Sequence, residues 1–186
     1  MQPDPEQLDA ILQRLLPGPA AAAEDLVRQA YHWARQSHHG QVRKDGCPIF
    51  EHVLGVTDNL LATGARDPEL VAAALLHDLV ENTPVPLEEV RRRFGPRIAA
   101  LVDAVTNRPE DDAASAAQRA LQAGSAALLL HLCDRLDGVR RSAGRKHKPR
   151  LNFLRESRSV HLALAERHFP GLAQALAEAI RAAESG

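Results

Sequence analysis

The stretch that decides the fold is VAAALLHDLVEN, residues 71–82. Its first six residues are apolar and favour a buried helix, into which the polar pair His77–Asp78 is set. Polar groups in such a helix destabilise the fold by about 1–3 kcal/mol each if they are left unpaired, and a divalent metal neutralises them best. In a continuous helix Glu81 lies one turn after His77, and Asn82 one turn after Asp78. The stretch therefore predicts a helix that offers two metal ligands and aims a carboxylate at a water beside the metal.

The rest of the chain is also helical in composition, because alanine, leucine, arginine and glutamate dominate and alternating β-branched residues are scarce. The predicted fold class is all-α. Helices are expected at about residues 5–16, 20–37, 51–63, 86–94 and 96–106, with one opened by Asp67–Pro68 that carries His77, a long one from Ser125, and two at the end of the chain. Residues 39–50, 107–114 and 144–150 are predicted to be loops or linkers, the first with a tight turn at Asp45–Gly46.

Composition bounds the class of protein. The chain has 186 residues, of which 45% are hydrophobic and 25% charged, and it is expected to form one globular domain over residues 1–186. A formal net charge of -1 and only 3% aromatic residues argue against partners such as nucleic acid or a membrane surface. Cys47 and Cys133 form no CxxC pattern, the N-terminal residues do not resemble a signal peptide, and no apolar run approaches the ~20 residues that span a bilayer. A cytoplasmic location is therefore predicted.

Two further polar residues in apolar surroundings are candidate partners of the His77–Asp78 pair. His52 stands near the start of a helix in FEHVLGV, and Asp134 stands in LLLHLCDRLDGV. Two histidines and two aspartates form a mixed nitrogen and oxygen ligand set, which suits manganese, iron or zinc better than calcium or magnesium. From the residues alone, the alternative for His52 is a core histidine whose hydrogen bonds are satisfied within the protein.

The motifs also occur in an order that resembles a known family. The strings HHGQVRKDG, FEHV, AALLHDLVEN, FGPRIAALVDAVTN and HLCDRLDGVR, spread over roughly residues 24–168, look like the hydrolase half of the RelA/SpoT alarmone enzymes. The chain is most similar to the small single-domain alarmone hydrolases, including the metazoan SpoT homologue. The resemblance implies an HD-domain bundle of about eight to ten helices. It also implies a metal-dependent pyrophosphohydrolase that removes the 3′-diphosphate of guanosine 3′,5′-bis(diphosphate), or ppGpp, in the stringent response.

The resemblance further implies roles for individual residues. A manganese ion is expected to be held by His52, His77, Asp78 and Asp134. Glu81, with Asn82 beside it, is expected to position and activate the attacking water. The nucleotide is expected to contact Arg43 and Lys44. Arg141, which stands where the family commonly has a threonine, is a further candidate for binding the substrate.

Some positions depart from the family pattern. Asn82 stands where aspartate is usual, and because an amide orients a water but cannot take up its proton, general-base work is left to Glu81. Gly138 stands where an asparagine contacts the nucleotide, and Asp45 replaces a frequent serine. If Gly138 leaves an opening in the nucleotide wall, Gly138→Asn should tighten alarmone binding about several-fold. Two alternatives remain open: hydrolysis of another nucleotide, such as an adenosine analogue or NADPH, and a degenerate domain that binds a nucleotide without turnover.

Overall fold

The structure of the protein, a computed structural model, describes residues 5–15, 21–43 and 45–185. Within these ranges the chain is helical and contains no strand, so the predicted all-α class is confirmed. The helices are α1 (Pro5–Leu15), α2 (Ala21–Ser37), α3 (Ile49–Ala62), α4 (Pro68–Leu76), α5 (Leu79–Asn82), α6 (Leu87–Val105), α7 (Ala113–Ala123), α8 (Ser125–Arg140), α9 (His147–Glu156), α10 (Ala163–His168) and α11 (Pro170–Ser185). A 3-10 turn (Ser142–Gly144) precedes α9, and a π-helical turn (Ser157–Leu162) joins α9 to α10.

Helix α4 forms the centre of the bundle because it has no polar face. Every residue from Leu70 to Leu76 is at most 5% exposed, and a helix that is apolar all round must be surrounded by protein. Helices α2, α3 and α6 pack around it. At its start the Asp67 carboxylate accepts a hydrogen bond from the Glu69 N–H at 3.0 Å, and Pro68 occupies the first turn, as the sequence predicts.

Helix α8 is the second helix that matters for the site. It packs against α3, α7 and α11, and its buried residues include Leu128, Leu132 and Leu136. Because α3 and α8 lie side by side, the polar residues that each carries meet in the interior. His52 of α3 thereby comes to face Asp134 and Asp137 of α8.

The prediction of one continuous helix through the His77–Asp78 pair is wrong. Helix α4 ends at Leu76 and α5 begins at Leu79, with the pair in the turn between them. Asp78 has ψ near −6° instead of the helical value of about −42°, which interrupts the ladder of backbone hydrogen bonds. His77 and Asp78 are buried, but Glu81 in the short helix α5 is exposed.

Three predicted loops also differ from the structure. Helix α3 begins at Ile49, inside the predicted loop 39–50. Helix α7 was not predicted; it begins at Ala113 because Asp112 and Ser115 form a reciprocal capping box at its start. The predicted linker 144–150 is wrong in its second half, where α9 begins at His147.

Other expectations hold. Gly95, with φ of 87°, breaks α6 into the two predicted segments, and only glycine adopts such a conformation without strain. The turn at Asp45–Gly46 is closed by a hydrogen bond from the Gly46 N–H to the Arg43 carbonyl oxygen at 3.0 Å. An antiparallel bridge joins Val42 to Pro48. None of the helices formed by the described residues is both long and apolar enough to cross a lipid bilayer.

Candidate functional site

Three of the predicted ligands converge in the interior between α3, α4 and α8. One ligand atom from each of His52, His77 and Asp134 lies within 4.8 Å of the other two. The Nε2 atoms of His52 and His77 are 3.3 Å apart, and Asp134 Oδ1 is 3.1 Å from His52 Nε2. Both imidazoles are buried. The arrangement therefore presents two nitrogens and an oxygen to one point, which fits a divalent cation of the first transition row.

Hydrogen bonds on the far side of each ring fix which nitrogen faces that point. His77 Nδ1 lies 2.8 Å from the Ala74 carbonyl oxygen, which only accepts, so Nδ1 carries the proton and Nε2 offers a lone pair. His52 Nδ1 donates to Asp137 Oδ2 at 2.6 Å in the same way. Once His52 has given up its second proton, the two Nε2 lone pairs face each other at 3.3 Å and repel unless a cation lies between them. The local hydrogen bonding thus prepares both rings for a metal.

The electrostatics of the cluster also favour a cation. Desolvation alone would lower the pKa of His52, but the carboxylates of Asp134 and Asp137 outweigh it and raise this pKa to about 9. Desolvation alone would raise the pKa of Asp134, but the hydrogen bond and charge of His52 hold it below its usual range. The buried carboxylates therefore create a negative potential that a proton or a metal ion neutralises.

Asp78 lies at the edge of the cluster. Its Oδ1 is 3.6 Å from His77 Nε2, and its Oδ2 is 3.8 Å from His52 Nε2. The Arg43 guanidinium approaches Asp78 Oδ2 at 3.5 Å. Asp78 thus lies next to both imidazoles and links them to the first of the predicted nucleotide contacts.

Glu81 does not join the ligand cluster. Its Oε2 accepts two hydrogen bonds from Asn107, one from the backbone N–H at 3.1 Å and one from the side-chain amide at 3.0 Å. Partial desolvation in the cleft raises the pKa of Glu81 in spite of these bonds, and the nearby charge of Asp78 adds to the effect. Asn107 therefore orients a carboxylate with an increased affinity for a proton, which is the property of a general base.

A polar cleft of about 360 Å³ connects these groups. Both predicted water-positioning residues, Glu81 and Asn82, line it together with the candidate ligands Asp78 and Asp134. The remaining walls come from Val42, Arg43, Asp45, Ile49, Asn107 and Arg145. The cleft thus combines carboxylates with the guanidinium groups of Arg43 and Arg145, which suits a substrate that carries phosphates and is held partly through a metal.

The loop before α3 is tied to the cleft by a chain of hydrogen bonds. His38 Nδ1 contacts Gln41 Oε1 at 2.9 Å, and Gln41 Nε2 donates to the Asn82 carbonyl oxygen at 3.0 Å. Asp45 closes the same loop by accepting a hydrogen bond from the Cys47 N–H at 3.1 Å. These residues act on loop architecture.

Asp137, like Asn107, is a residue of this site that the sequence alone did not predict. It is buried, and besides its bond to His52 it accepts a hydrogen bond from Arg141 Nε at 2.7 Å. A Cβ on Gly55 would lie 2.1 Å from Asp137 Oδ1, so glycine at that position is what lets the carboxylate reach α3. The signal was present in the sequence as a second acid one turn after Asp134, on the same helix.

Of the three residues predicted to contact the nucleotide, the structure places one at the cleft. Arg43 lines the cleft, whereas Lys44 lies outside the described residues. Arg141 is not among the described residues that line the cleft; its guanidinium donates to Asp137, to Cys47 Sγ at 3.0 Å and to the Glu51 carbonyl oxygen at 3.1 Å. A substrate role for Arg141 stays a prediction, and its contacts in the structure anchor Asp137.

The expected opening at Gly138 does not exist, because the ring of Phe153 occupies it. Gly138 is buried, and a Cβ there would lie 3.0 Å from Phe153 Cζ. The reasoning that Gly138→Asn adds a nucleotide contact to open space is therefore corrected: an asparagine would collide with an aromatic ring.

The helical bundle and its buried histidine–aspartate cluster agree with a comparison against known protein families. The HD-domain family matches residues 30–168, which is most of the chain, and this protein belongs to that family.

Individual proteins with similar sequences or structures belong to the RelA/SpoT group. The chain is 34% identical over 167 residues to the guanosine-3′,5′-bis(diphosphate) 3′-pyrophosphohydrolase of Aquifex aeolicus, matching 86% of this chain and 24% of that protein. It is 31% identical over 175 residues to the bifunctional (p)ppGpp synthase/hydrolase SpoT of Escherichia coli, with 87% and 24% covered. Among solved structures it is similar to a metazoan ortholog of SpoT that hydrolyses ppGpp and plays a role in starvation responses, with a TM-score of 0.76 and 27% identity over 88% of this chain and 96% of that one.

The chain thus spans about a quarter of the length of the two curated relatives and nearly all of the metazoan structure. The resemblance to RelA/SpoT-type HD domains that the sequence motifs indicated is confirmed.

Proposed function

We propose that this protein is a metal-dependent pyrophosphohydrolase that removes the 3′-diphosphate of ppGpp-type alarmones, with manganese as its metal. The observation that carries the proposal is that His52, His77 and Asp134 converge on one point, with the Nε2 atom of each imidazole directed toward it. The cleft beside this point is lined by Arg43 and Arg145. The hydrolase names of the relatives support the same reaction. A mixed nitrogen and oxygen ligand set suits manganese.

The protein's residues divide the work as follows. His52, His77 and Asp134, with Asp78 beside them, hold the metal. When bound, a divalent metal ion lowers the pKa of a coordinated water and polarises a phosphoryl oxygen. Glu81, fixed by Asn107, orients the attacking water and takes up its proton. Arg43 neutralises phosphate charge at the cleft wall.

The reaction is an in-line displacement at the phosphorus next to the ribose. Water adds its oxygen to that phosphorus, the bond from phosphorus to the ribose 3′ oxygen breaks, and the 3′ oxygen takes up a proton. The products are a nucleoside 5′-diphosphate and pyrophosphate. Glu81, whose carboxylate accepts two hydrogen bonds from Asn107 at the cleft, is the group that exchanges protons with water in this scheme.

Turnover of a nucleotide panel tests the function. With manganese, the purified protein should convert ppGpp into equal amounts of GDP and pyrophosphate, and chelation of the metal should abolish the reaction. The adenosine analogue of ppGpp and NADPH serve as competing substrates, and the products are resolved by ion-exchange chromatography. Phosphate release from NADPH with no attack on ppGpp would replace the proposed substrate. Metal-loaded protein that turns over none of the three is a nucleotide-binding domain without activity.

A prediction about metal affinity follows from the contact between Asp137 and His52. Asp137→Asn keeps an acceptor for the His52 N–H but removes the charge that makes the ring a stronger ligand, so the dissociation constant for manganese should rise by about 10- to 100-fold. Affinity is measured by competition with a fluorescent chelator. Glu51→Gln is the control, because it removes a carboxylate charge near Arg141 without contacting the imidazole. Unchanged affinity in Asp137→Asn would reduce Asp137 to an anchor for Arg141.

A further inference from the structure

Arg145 is a cleft residue outside the proposed metal-holding and water-activating groups. It lies in the segment between α8 and α9 and lines the cleft together with Arg43, Asp78 and Asp134. Its Nε atom is buried and has no hydrogen-bond partner among the described residues. A buried donor of this kind destabilises the fold unless a ligand accepts a hydrogen bond from it.

Phe153 holds the Arg145 side chain in place. The guanidinium carbon of Arg145 lies 4.0 Å from the centre of the Phe153 ring, which is the distance of a cation–π contact. The ring in turn occupies the space beside Gly138, where a Cβ would lie 3.0 Å from Phe153 Cζ and a longer side chain would displace the ring. The glycine, the aromatic ring and the arginine therefore form one packed unit, and the departure at position 138 makes room for it.

A second close contact brings Arg145 to the same cleft as Arg43. A Cβ on Gly144 would lie 2.1 Å from the Asp45 carbonyl oxygen, so the turn before Arg145 rests directly on the loop that carries Arg43. Desolvation lowers the pKa of Arg145, and the charge of Arg43 lowers it further. Two cations that approach each other in a partly desolvated cleft are stabilised when an anion binds between them.

We infer that Arg145, with Arg43, binds the diphosphate group that is released as pyrophosphate, an inference that rests on the proposed function. Arg145 and Asp134 line the same cleft, so a ligand on Arg145 is next to the metal-holding residues. The diphosphate under attack lies there, whereas the base and the 5′-diphosphate lie farther along the nucleotide. Guanidinium groups suit this task because each offers paired donors to phosphate oxygens.

Binding of the two products separately tests the assignment. Isothermal titration calorimetry measures the affinity of metal-loaded protein for inorganic pyrophosphate and for GDP. Arg145→Met keeps an unbranched side chain against Phe153 and removes the charge. It should weaken pyrophosphate binding by about tenfold or more, as expected for loss of a charge-assisted hydrogen bond, and change GDP binding by less than about twofold. Lys148→Met, which removes a charge from an exposed residue three positions after Arg145, should change neither.

Gly138→Asn gives an independent check through the packing. By displacing Phe153 and with it Arg145, it should weaken pyrophosphate binding, opposite in sign to the effect expected if position 138 were open. The assignment is wrong if Arg145→Met binds pyrophosphate like Lys148→Met, or if it loses affinity for GDP instead. Neither measurement requires turnover. If the protein hydrolyses no nucleotide but its pyrophosphate affinity depends on Arg145, only the proposed function is overturned. If the protein hydrolyses ppGpp and Arg145→Met leaves pyrophosphate affinity unchanged, only the inference about Arg145 is overturned.

Discussion

Replacing His77 by alanine should abolish metal-dependent nucleotide hydrolysis, with turnover reduced by about 10³-fold or more. Charge stabilisation by a metal contributes several kcal/mol to phosphoryl transfer, and each ~1.4 kcal/mol corresponds to a factor of ten in rate. His77 Nε2 lies 3.3 Å from the corresponding nitrogen of His52, so its loss leaves at most one imidazole facing the point where the ligands converge. Metal content, measured by plasma mass spectrometry after dialysis, should fall with the activity.

Two further variants separate metal loss from unfolding. Asp134→Asn preserves the shape of the side chain and removes only its charge, so it should also lose metal while its helical circular dichroism stays normal. His39→Ala removes an exposed histidine from the loop before α3 and should retain both metal and activity. In wild-type protein manganese should raise the melting temperature, because a ligand that binds only the folded state stabilises it, and both site variants should lose that increase. A His77→Ala protein that still binds manganese as tightly as wild type would show that the metal is held elsewhere.

Much of this candidate site could be predicted from sequence because its polar residues interrupt apolar helices. His52, His77 and Asp134 each stand among leucines and valines, and burial of an imidazole or a carboxylate in such surroundings requires a partner. The same reasoning identified α4 as a core helix. It failed where the backbone departs from a regular helix: the break at His77–Asp78 changes the direction of the Asp78 carboxylate, and the periodicity of residues 71–82 does not reveal it.

Residues that depend on packing between distant segments could not be predicted. Asp137 belongs to the site only because Gly55 allows its carboxylate to reach α3. Gly138 resembled a missing contact because the sequence does not show that Phe153, from the following helix, fills the space. The sequence shows that a glycine has no side chain at its own position. Only the structure shows which other side chain fills the space beside it.

The unpredicted helices have a local explanation. Helix α7 is rich in alanine and was missed because the acidic residues before it suggested a loop, although Asp112 and Ser115 cap its start. In α9 only Leu154 is buried, so this helix lacks the apolar face by which a helix is predicted from sequence. Its place in the bundle depends on contacts with the π-helical turn and α11.

Glu81→Gln should lower turnover by about 10²-fold or more while metal affinity stays within about threefold of wild type. Loss of a positioned general base removes roughly two to four powers of ten from the rate. The glutamine oxygen can still accept the hydrogen bonds of Asn107, at 3.1 and 3.0 Å in the structure, so the side chain keeps its place and only its ability to take up a proton is lost. Steady-state kinetics on ppGpp should show the loss in kcat, with KM little changed.

The matched variant is Asn82→Asp, which places a second acid beside Glu81 at the cleft. In the Glu81→Gln background it supplies a carboxylate one residue away and should recover part of the lost rate, whereas Asn82→Ala in wild type should cost much less than Glu81→Gln because an amide takes up no proton. If Glu81→Gln retains the wild-type kcat, Glu81 is not the base. If the variant instead loses its metal, Glu81 is a metal ligand. The assignment of metal binding to the His52–His77–Asp134 cluster and of water activation to Glu81 would then be wrong.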